Sequence, residues 1–274
     1  MTSIHRRLAA LVVVPLALAA FAGRCHAEED SAAELAKKTQ NPVADLISVP
    51  FQNNFNFKVG PKEDLQYVLN IQPVVPFHLT ENWNLITRTI IPLISQPELG
   101  RTPAGVVGDV FGIGDIQLSL FLSPAKPGKL IWGVGPIIQL PTASDPSLGA
   151  DQWALGPTGV LLFTHGPWVL GALANHLWGL ESGPPGVNQT LIQPFVNFNL
   201  PHGWYLTSGP IITANWKADD GDIWTVPVGF GVGKIQRFGK LPVNLQLSAF
   251  RNVVRPADGP EWNVRLQVQF LFPR

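Results

Sequence analysis

The sequence predicts an all-β protein: a transmembrane antiparallel β-barrel of about twelve strands. Residues 262–272 alternate apolar and other side chains at nearly every position, which is typical of a strand with two different faces. Charged residues form only 14% of the chain, against about 25% in soluble domains. After residue 27 no apolar run reaches the roughly 18 residues of a transmembrane helix. A closed barrel is the membrane structure that remains, because it pairs every backbone group.

Residues 1–27 are predicted to be a cleaved signal peptide. Arg6 and Arg7 precede the apolar run "LAALVVVPLALAA", which is too short to span a bilayer, and small-x-small cleavage sites follow it. Cleavage after Ala27 removes Cys25, the only cysteine, so no disulfide or thiol chemistry is expected in the mature chain. The chain is therefore expected to be exported.

The mature chain is predicted to have two parts, an N-terminal periplasmic segment or plug (28–50) and the barrel itself (51–274). The stretch "EEDSAAELAKKTQNP" indicates a short, polar, helical or disordered segment that stops near Pro42 and has little apolar face. Two interpretations stay open: a solvated tail, or a plug folded into the lumen.

The barrel strands are predicted from alternating segments separated by Gly, Pro, Asn and Asp clusters. Each segment is close to the ~9–11 residues that a tilted strand needs to cross a bilayer. The connections alternate between short and longer, as periplasmic turns and outer loops do in bacterial barrels. The predicted strands are 51–59, 65–76, 82–93, 113–122, 130–141, 153–164, 168–179, 189–200, 204–216, 223–235, 241–250 and 261–272.

Tryptophan positions support a lipid-facing surface. All nine tryptophans lie within about three residues of a predicted strand end, where an indole ring favours the headgroup boundary. In the segment 204–216, the strand face that carries the tryptophans is assigned to lipid. That face holds Trp204, Leu206, Ile212, Ala214 and Trp216, and the lumen face holds Tyr205, Thr207, Thr213 and Asn215.

Prolines inside predicted strands argue against a fully regular sheet, because each removes a ladder donor. All but Pro227 have lipid-facing parity, and several follow glycine, as in "GPIIQ" and "GPIIT", which predicts bulges or bends. The six are Pro73, Pro136, Pro157, Pro194, Pro210 and Pro227.

Four stretches resemble a known family: "NPVADLISVPFQNNFNF", "LNIQPVVPFHLTENWNLITRTIIPLI", "GDIQLSLFLSP" and "WGVGPIIQLPT". They are similar to the bacterial outer-membrane proteins named after the meta-pathway of phenol degradation, which are often labelled transporters. The resemblance runs from about Ala36 to the end. It implies an outer-membrane barrel that passes small hydrophobic or aromatic compounds, and it supplies no functional residues. The chain departs from usual barrels by ending two residues beyond its final aromatic, Phe272.

No catalytic, cofactor or metal site is predicted, and the protein is not expected to be an enzyme. His176 with Ser182 is the nearest approach to a hydrolase pair, but no serine is placed in register with a histidine. The stretch "KADDGDIW" lacks the spaced ligands of a calcium loop, and "GFGVGK" lacks the Ser/Thr of a phosphate loop. The glycines of "GFGVGK" share one strand face, which better suits tight curvature or lumen space.

The predicted lumen lining is rich in amides, which donate and accept without carrying charge. Arg88, Asp115 and Arg265 are expected to orient a solute or to seal the pore. The candidate lining residues are Arg88, Asp115, Gln117, Gln139, Asn197, Asn215, Gln246, Arg265 and Gln267. The same parity adds Asn54, Asn56, Lys58, Asn70, Gln72, Asn84, Gln193, Asn199, Asn244 and Gln269.

The favoured function is an outer-membrane channel or transporter for small hydrophobic or aromatic solutes. A structural or surface-interaction barrel without transport is the second interpretation, and a lipid-acting outer-membrane hydrolase is the third. The expected partners are the outer-membrane bilayer, the barrel-assembly machinery and the solute. No basic excess suggests nucleic acid, since the formal net charge is zero.

Overall fold

The computed structural model describes residues 34–98, 100–102, 105–107, 109–126, 128–181 and 186–272. The predicted signal peptide and residues 28–33 lie outside this range. Within the described ranges, no helix is both long enough and apolar enough to cross a membrane.

Twelve antiparallel strands in the described part of the chain form a closed barrel. Each pairs with the next, and Ile47 of the first lies opposite Phe272 of the last, so the sheet has no free edge. The predicted fold class is confirmed. The strands are β1 (Ile47–Val59), β2 (Asp64–Ile71 and Val74–His78), β3 (Trp83–Gln96), β4 (Val110–Ile113 and Ile116–Pro124), β5 (Leu130–Leu140), β6 (Ala154–His165), β7 (Trp168–Gly179), β8 (Asn188–Asn199), β9 (Trp204–Ser208 and Ile212–Asn215), β10 (Trp224–Phe238), β11 (Leu241–Val254) and β12 (Trp262–Phe272).

The two ends of the barrel differ in their connections. One end, here the inner end, carries the start of β1 and the end of β12; the opposite end is here the outer end. The inner end has short turns, such as the one at Gly239 and Lys240 between β10 and β11. The outer end carries the longer loops. After β3 the outer loop forms a small hairpin of its own, in which Gly100–Thr102 pairs with Gly105–Val107. The hairpin was not predicted, because its two strands are only three residues long.

Prolines mark the irregular places in the wall. Pro73 and Pro210 lie in the interruptions of β2 and β9, and Pro227 lies at a register shift between β10 and β11. Pro136 and Pro157 lie opposite each other on the outer face of β5 and β6.

The Gly-Pro dipeptides in β5 and β6 have a physical explanation. The ring nitrogens of Pro136 and Pro157 have no hydrogen, so the opposing carbonyls of Leu120 and His176 lose their ladder donors. A Cβ on the glycine before each proline would overlap those carbonyl oxygens. Glycine therefore provides the space that a carbonyl without its ladder partner needs.

The outward faces form an apolar band between two rings of tryptophan. Trp83 and Trp132 meet edge to face at 5.9 Å near the inner end, and Trp216 and Trp224 meet at 5.5 Å near the outer end. Between the rings lie large apolar side chains such as Phe230, which is 77% exposed. Such a band would be costly in water and is favourable in lipid.

Residues 34–46, here the N-terminal segment, fold into the inner end of the barrel. Residues 34–39 are helical. Leu35 and Ala36 are buried against Ile235 and Leu271, which point inward from β10 and β12. The apolar pair in an otherwise polar helix is therefore the contact that turns this segment toward the lumen.

Candidate functional site: the lumen cavity

A cavity of about 170 Å³ lies in the lumen, directly above the N-terminal segment. Its floor is formed by residues 38–42 of that segment, and its sides are the inward-facing side chains of the barrel. Because strand side chains alternate between the two faces, every second residue of a wall strand reaches this space. Of the nine candidate lining residues, five line this cavity: Arg88, Asn197, Gln246, Arg265 and Gln267.

One side of the lumen, here the amide wall, is formed by the inward-facing Asn and Gln residues of β1, β2, β11 and β12. Gln52 lies opposite Gln267, and Gln246 lies opposite the same Gln267 on the other side. The facing strands thus bring amides from three strands side by side. The wall consists of Gln52, Asn54, Asn56, Gln66, Asn70, Gln72, Asn244, Gln246, Gln267 and Gln269.

Amides of this wall are bonded to one another in a belt across the strands. Gln72 Nε2 donates to Gln52 Oε1 at 3.3 Å, and Gln52 Nε2 donates to Gln267 Oε1 at 3.3 Å. Gln267 Nε2 donates to Gln269 Oε1 at 3.3 Å, and Asn244 Nδ2 donates to the same oxygen at 3.1 Å. An amide can join such a chain because it both donates and accepts. The belt therefore satisfies polar groups that would otherwise be buried at a cost.

Two arginines interrupt this neutral wall. Arg265 of β12 is 6% exposed; its Nε donates to Asn54 Oδ1 at 3.1 Å, and its Nη1 donates to the Gly209 carbonyl at 3.2 Å. Arg88 of β3 donates from Nη2 to Gln72 Oε1 at 2.7 Å. In the described part of the chain, neither guanidinium has an ion pair with a carboxylate. Both therefore bring uncompensated positive charge to the cavity.

The opposite side, here the apolar wall, is formed by inward-facing aliphatic residues of β5, β6 and β7. Leu173 of this wall lines the cavity together with the neighbouring Phe195 of β8. Below the cavity, Val43 of the N-terminal segment packs against the same cluster. The wall consists of Ile131, Ile137, Val160, Leu162, Val169, Leu173 and Leu177.

Tyr205 fills the space between β9 and β11 at the edge of the amide wall. It is 1% exposed, and its hydroxyl bridges Asn244 Oδ1 at 2.7 Å and Gln246 Oε1 at 3.2 Å. Its ring lies over Gly233, where a Cβ would overlap it. The glycine at this position of β10 thus makes room for the Tyr205 ring.

A second cavity, of about 390 Å³, opens near the outer end of the lumen. Gln117 and Asn215 of the candidate set line it, together with Gln189 and Thr213. Seven of the nine candidates therefore divide between an inner cavity and an outer vestibule.

The other two candidates, Asp115 and Gln139, line neither space and bond each other. Gln139 Nε2 donates to Asp115 Oδ2 at 3.2 Å. Asp115 also accepts backbone N–H bonds from Thr142 and Ala143 at Oδ1 and from Ala150 and Asp151 at Oδ2, at 2.7–3.2 Å. The carboxylate therefore fastens the loop between β5 and β6 to the barrel wall.

His176 lies on the outer face of the barrel. Its Nδ1 is 2.8 Å from Thr190 Oγ1, and Trp216 Nε1 donates to the same oxygen at 2.8 Å. This geometry belongs to the outer tryptophan ring. Ser182 lies outside the described residues. Among the described residues, no group of three or more His, Cys, Asp or Glu could hold a metal ion.

Sequence reasoning kept a plug in the lumen as one of two interpretations but named none of its lining residues, and it missed the apolar side of the cavity. Lys38 and Gln40 line the cavity from the N-terminal segment, and Gln40 exchanges two hydrogen bonds with Asn199, at 2.9 and 3.2 Å. The apolar pair Leu35–Ala36 was the one signal for this docking. Lys58, assigned to the lumen by parity, lies at the outer rim and bridges Glu261 at 3.0 Å.

Comparisons with known proteins are consistent with this architecture. No protein-family model and no curated protein matches the chain. Among solved structures, the chain is similar to an outer membrane channel from Pseudomonas putida F1, at 18% identity and a TM-score of 0.59, over 82% of this chain and 93% of that one.

Two other similar structures are more distant. The CymD monoaromatic hydrocarbon channel is 10% identical with a TM-score of 0.45, over 89% of this chain and 92% of that one. The outer membrane phospholipase of Salmonella typhi is 13% identical with a TM-score of 0.42, over 89% and 97%. Neither is similar enough to support an argument about function. The chain has the fold of an outer-membrane β-barrel, and the apolar band between its tryptophan rings is the surface that such a barrel turns to lipid.

Proposed function

We propose that the protein is an outer-membrane channel or transporter that passes small hydrophobic or aromatic solutes. The observation that carries this proposal is the lumen cavity, which has an amide wall on one side and Leu173 and Phe195 on the other. A space with both polar and apolar sides suits a small molecule that has both kinds of surface. The resemblance to the family named after phenol degradation favours aromatic compounds among such molecules.

The N-terminal segment is proposed to act as a plug at the inner end of this path. Leu35 and Ala36 are buried in the barrel, and Gln40 bonds Asn199 on β8. His78 Nε2 and Asp45 Oδ2 lie 2.9 Å apart at the barrel mouth. A solute that leaves through the inner end must displace this segment. The polar and partly exposed contacts are the ones that are exchanged most easily with water.

Transport itself is tested with cells and with planar bilayers. Uptake of radiolabelled monocyclic aromatic compounds is compared between a deletion strain and the same strain carrying the gene. The purified, folded protein is recorded in planar bilayers in parallel. Faster uptake with the gene supports the proposal. Equal uptake together with the absence of conductance would leave the structural barrel as the function.

The proposed plug is tested with an engineered disulfide that can be formed and then reduced. A Cβ built on Gly133 would lie 3.0 Å from Val43 Cγ1, which is about the distance between a Cβ and the distal sulfur of a disulfide. The double variant V43C/G133C should therefore close a disulfide between the N-terminal segment and β5. Because Cys25 is the only native cysteine and precedes the predicted cleavage site, no thiol competes in the mature chain.

Uptake through V43C/G133C is expected to be low when oxidised and to recover with reductant. The single variants V43C and G133C, treated in the same way, control for each substitution. Full uptake through the oxidised double variant would show that the solute does not pass the N-terminal segment.

A further inference from the structure

We propose that the lumen cavity selects a small organic anion, a monocarboxylate with a compact apolar body such as a single aromatic ring. This inference rests on the proposed transport function and names its substrate class. It follows from the charge, the free donors and the shape of one cavity.

All the charged residues that line the cavity in the described part of the chain are cations. Arg88 and Arg265 reach it from the barrel, and Lys38 reaches it from the N-terminal segment. Among the described residues, no Asp or Glu lines it. The cavity is partly open to water, but Arg265 is only 6% exposed, so its charge is less screened than one at the surface, and cations without an anion favour a negatively charged occupant.

The arginines also have unused donors. A guanidinium carries five N–H groups, and Arg88 uses one nitrogen, on Gln72. Arg265 uses Nε and Nη1, and its guanidinium lies over the ring of Phe250 at 5.1 Å, which holds it in place. An arginine fixed in this way, with donors to spare, is suited to bind a carboxylate through paired hydrogen bonds.

Sealing the pore does not require such an arrangement. A neutral amide could close the belt in place of either arginine, and a buried cation without a counter-charge is costly. The charge is most easily explained if a ligand supplies the missing anion.

The apolar side and the volume define the rest of the ligand. Leu173 and Phe195 face the cavity from the side opposite Arg265, and both are at least nine-tenths buried. The volume of about 170 Å³ is close to the roughly 150 Å³ of a cavity that holds benzene. A ring of that size can therefore contact the apolar residues while its carboxylate meets the arginines.

The test uses three single-ring probes of similar size that differ in charge: benzoate, benzyl alcohol and benzylammonium. Binding to the folded, full-length mature protein in detergent is measured by ligand-observed saturation-transfer NMR. We expect benzoate to bind at least about tenfold more tightly than the other two, the lower end of what hydrogen bonds to a charged group contribute.

Three variants locate the effect. Arg88→Gln and Arg265→Gln are each expected to lower benzoate affinity about tenfold and to leave benzyl alcohol unchanged. Arg251→Gln is the matched control, because Arg251 lies on the outer face and stacks on Trp262 at 5.5 Å. Folding of each variant is checked by heat-modifiable gel migration. Because Arg265 also bonds the Gly209 carbonyl, Arg88→Gln keeps the test decisive if Arg265→Gln fails to fold.

The outcomes distinguish a failure of the anion inference from a failure of the proposed transport function. Equal binding of the three probes, or benzoate binding unchanged in Arg88→Gln, overturns the anion inference and leaves transport standing. A variant that conducts small ions more freely with no change in benzoate affinity shows that the arginines only seal the pore. Equal uptake together with the absence of conductance overturns the proposed function whatever the probes do.

Discussion

The two sides of the lumen share one strand geometry and differ in what their inward-facing side chains can do. On the amide wall, Gln52 and Gln267 are bonded to each other and to further amides along the belt. On the apolar wall, Leu162 and Val169 are at most 1% exposed and pack against other aliphatic side chains. One wall is held by directional hydrogen bonds and the other by close packing.

The difference shows where a solute gains binding free energy. A belt amide still has an N–H and a lone pair to offer, but a bond between uncharged groups replaces one to water, so the net gain is small. Apolar contact involves no such exchange. Arg88 and Arg265 each keep N–H groups that bond no other described residue, and unlike the neutral amides they carry a charge with which a carboxylate can pair. Recognition is therefore expected at the arginines and the apolar wall, with the amide belt as scaffold.

The largest expected effect comes from a test that places a glutamate on each wall in turn and compares the two losses in stability. Leu162→Glu should lower the free energy of unfolding by about 3–5 kcal/mol, or prevent folding, because the charge has no partner there. Gln267→Glu should cost less, about 1–2 kcal/mol, because Gln52 Nε2 still donates to the new carboxylate while only the bond to Gln269 Oε1 is lost. Urea unfolding from lipid vesicles, followed by tryptophan fluorescence, measures both. Similar losses at the two sites would show that the walls do not differ in polarity.

The amide wall could be predicted from the sequence, and the apolar wall could not. In β12 the polar and apolar residues alternate, so the inward positions of Arg265 and Gln267 follow from parity. In β7, "WVLGALANHLWG", residues of both parities are mostly apolar or small. Nothing local then shows which face meets lipid. The choice is made by the neighbouring strands, and periodicity does not report on them.

The local sequence pattern also could not predict which of the inward-facing residues line the same cavity. Parity predicts that Arg88 and Arg265 point inward, but they lie 177 positions apart in the sequence and on different strands. Their approach to one cavity depends on barrel closure between β1 and β12. The floor depends on Leu35 and Ala36, a signal too short to distinguish a docked helix from a solvated one.

A second test concerns the packing of Tyr205 at the edge of the amide wall. Gly233→Ala places a Cβ into the ring of Tyr205, which is locked by Asn244 and Gln246. The expected loss in unfolding free energy is about 1–3 kcal/mol, the usual cost of overpacking. Gly159→Ala on β6 is the matched control, because its Cβ would lie 3.7 Å from the nearest atom. A larger loss at Gly159 than at Gly233 would contradict the packing argument.

A smaller effect is expected where the loop above the apolar wall is fastened. Asp115→Asn leaves one acceptor oxygen for the backbone donors of Thr142, Ala143, Ala150 and Asp151. The expected loss is about 1–2 kcal/mol. Protease added to intact cells should also cut the loop at 142–152 faster.

Asp145→Asn, in the same loop, is the control for Asp115→Asn. Asp145 Oδ1 accepts only from Ser147, so its loss should leave the cleavage rate nearly unchanged. Equal cleavage of both variants would show that Asp115 does not anchor the loop.

The smallest expected effect lies at the outer rim, where β1 closes against β12. Lys58 bonds Glu261 at 3.0 Å and lies 3.9 Å from Glu63, and the hydrogen bond from Lys58 lowers the pKa of Glu261. A lowered folded-state pKa adds stability above the ordinary glutamate pKa of about 4.3, and that stability is lost as the pH falls through the lowered value. Wild type should therefore exceed Glu261→Gln in stability at neutral pH and lose that advantage in acid.

The comparison between wild type and Glu261→Gln isolates this one carboxylate, because all other titrating groups are common to both proteins. Glu261 is in contact with water, so the difference in urea midpoint should be small and should shrink further in high salt. A difference that persists unchanged at acidic pH would mean that the substitution acts through packing on Trp262. In that case the closure of the barrel depends on the strand pairing of β1 with β12 alone, without help from charge at the rim.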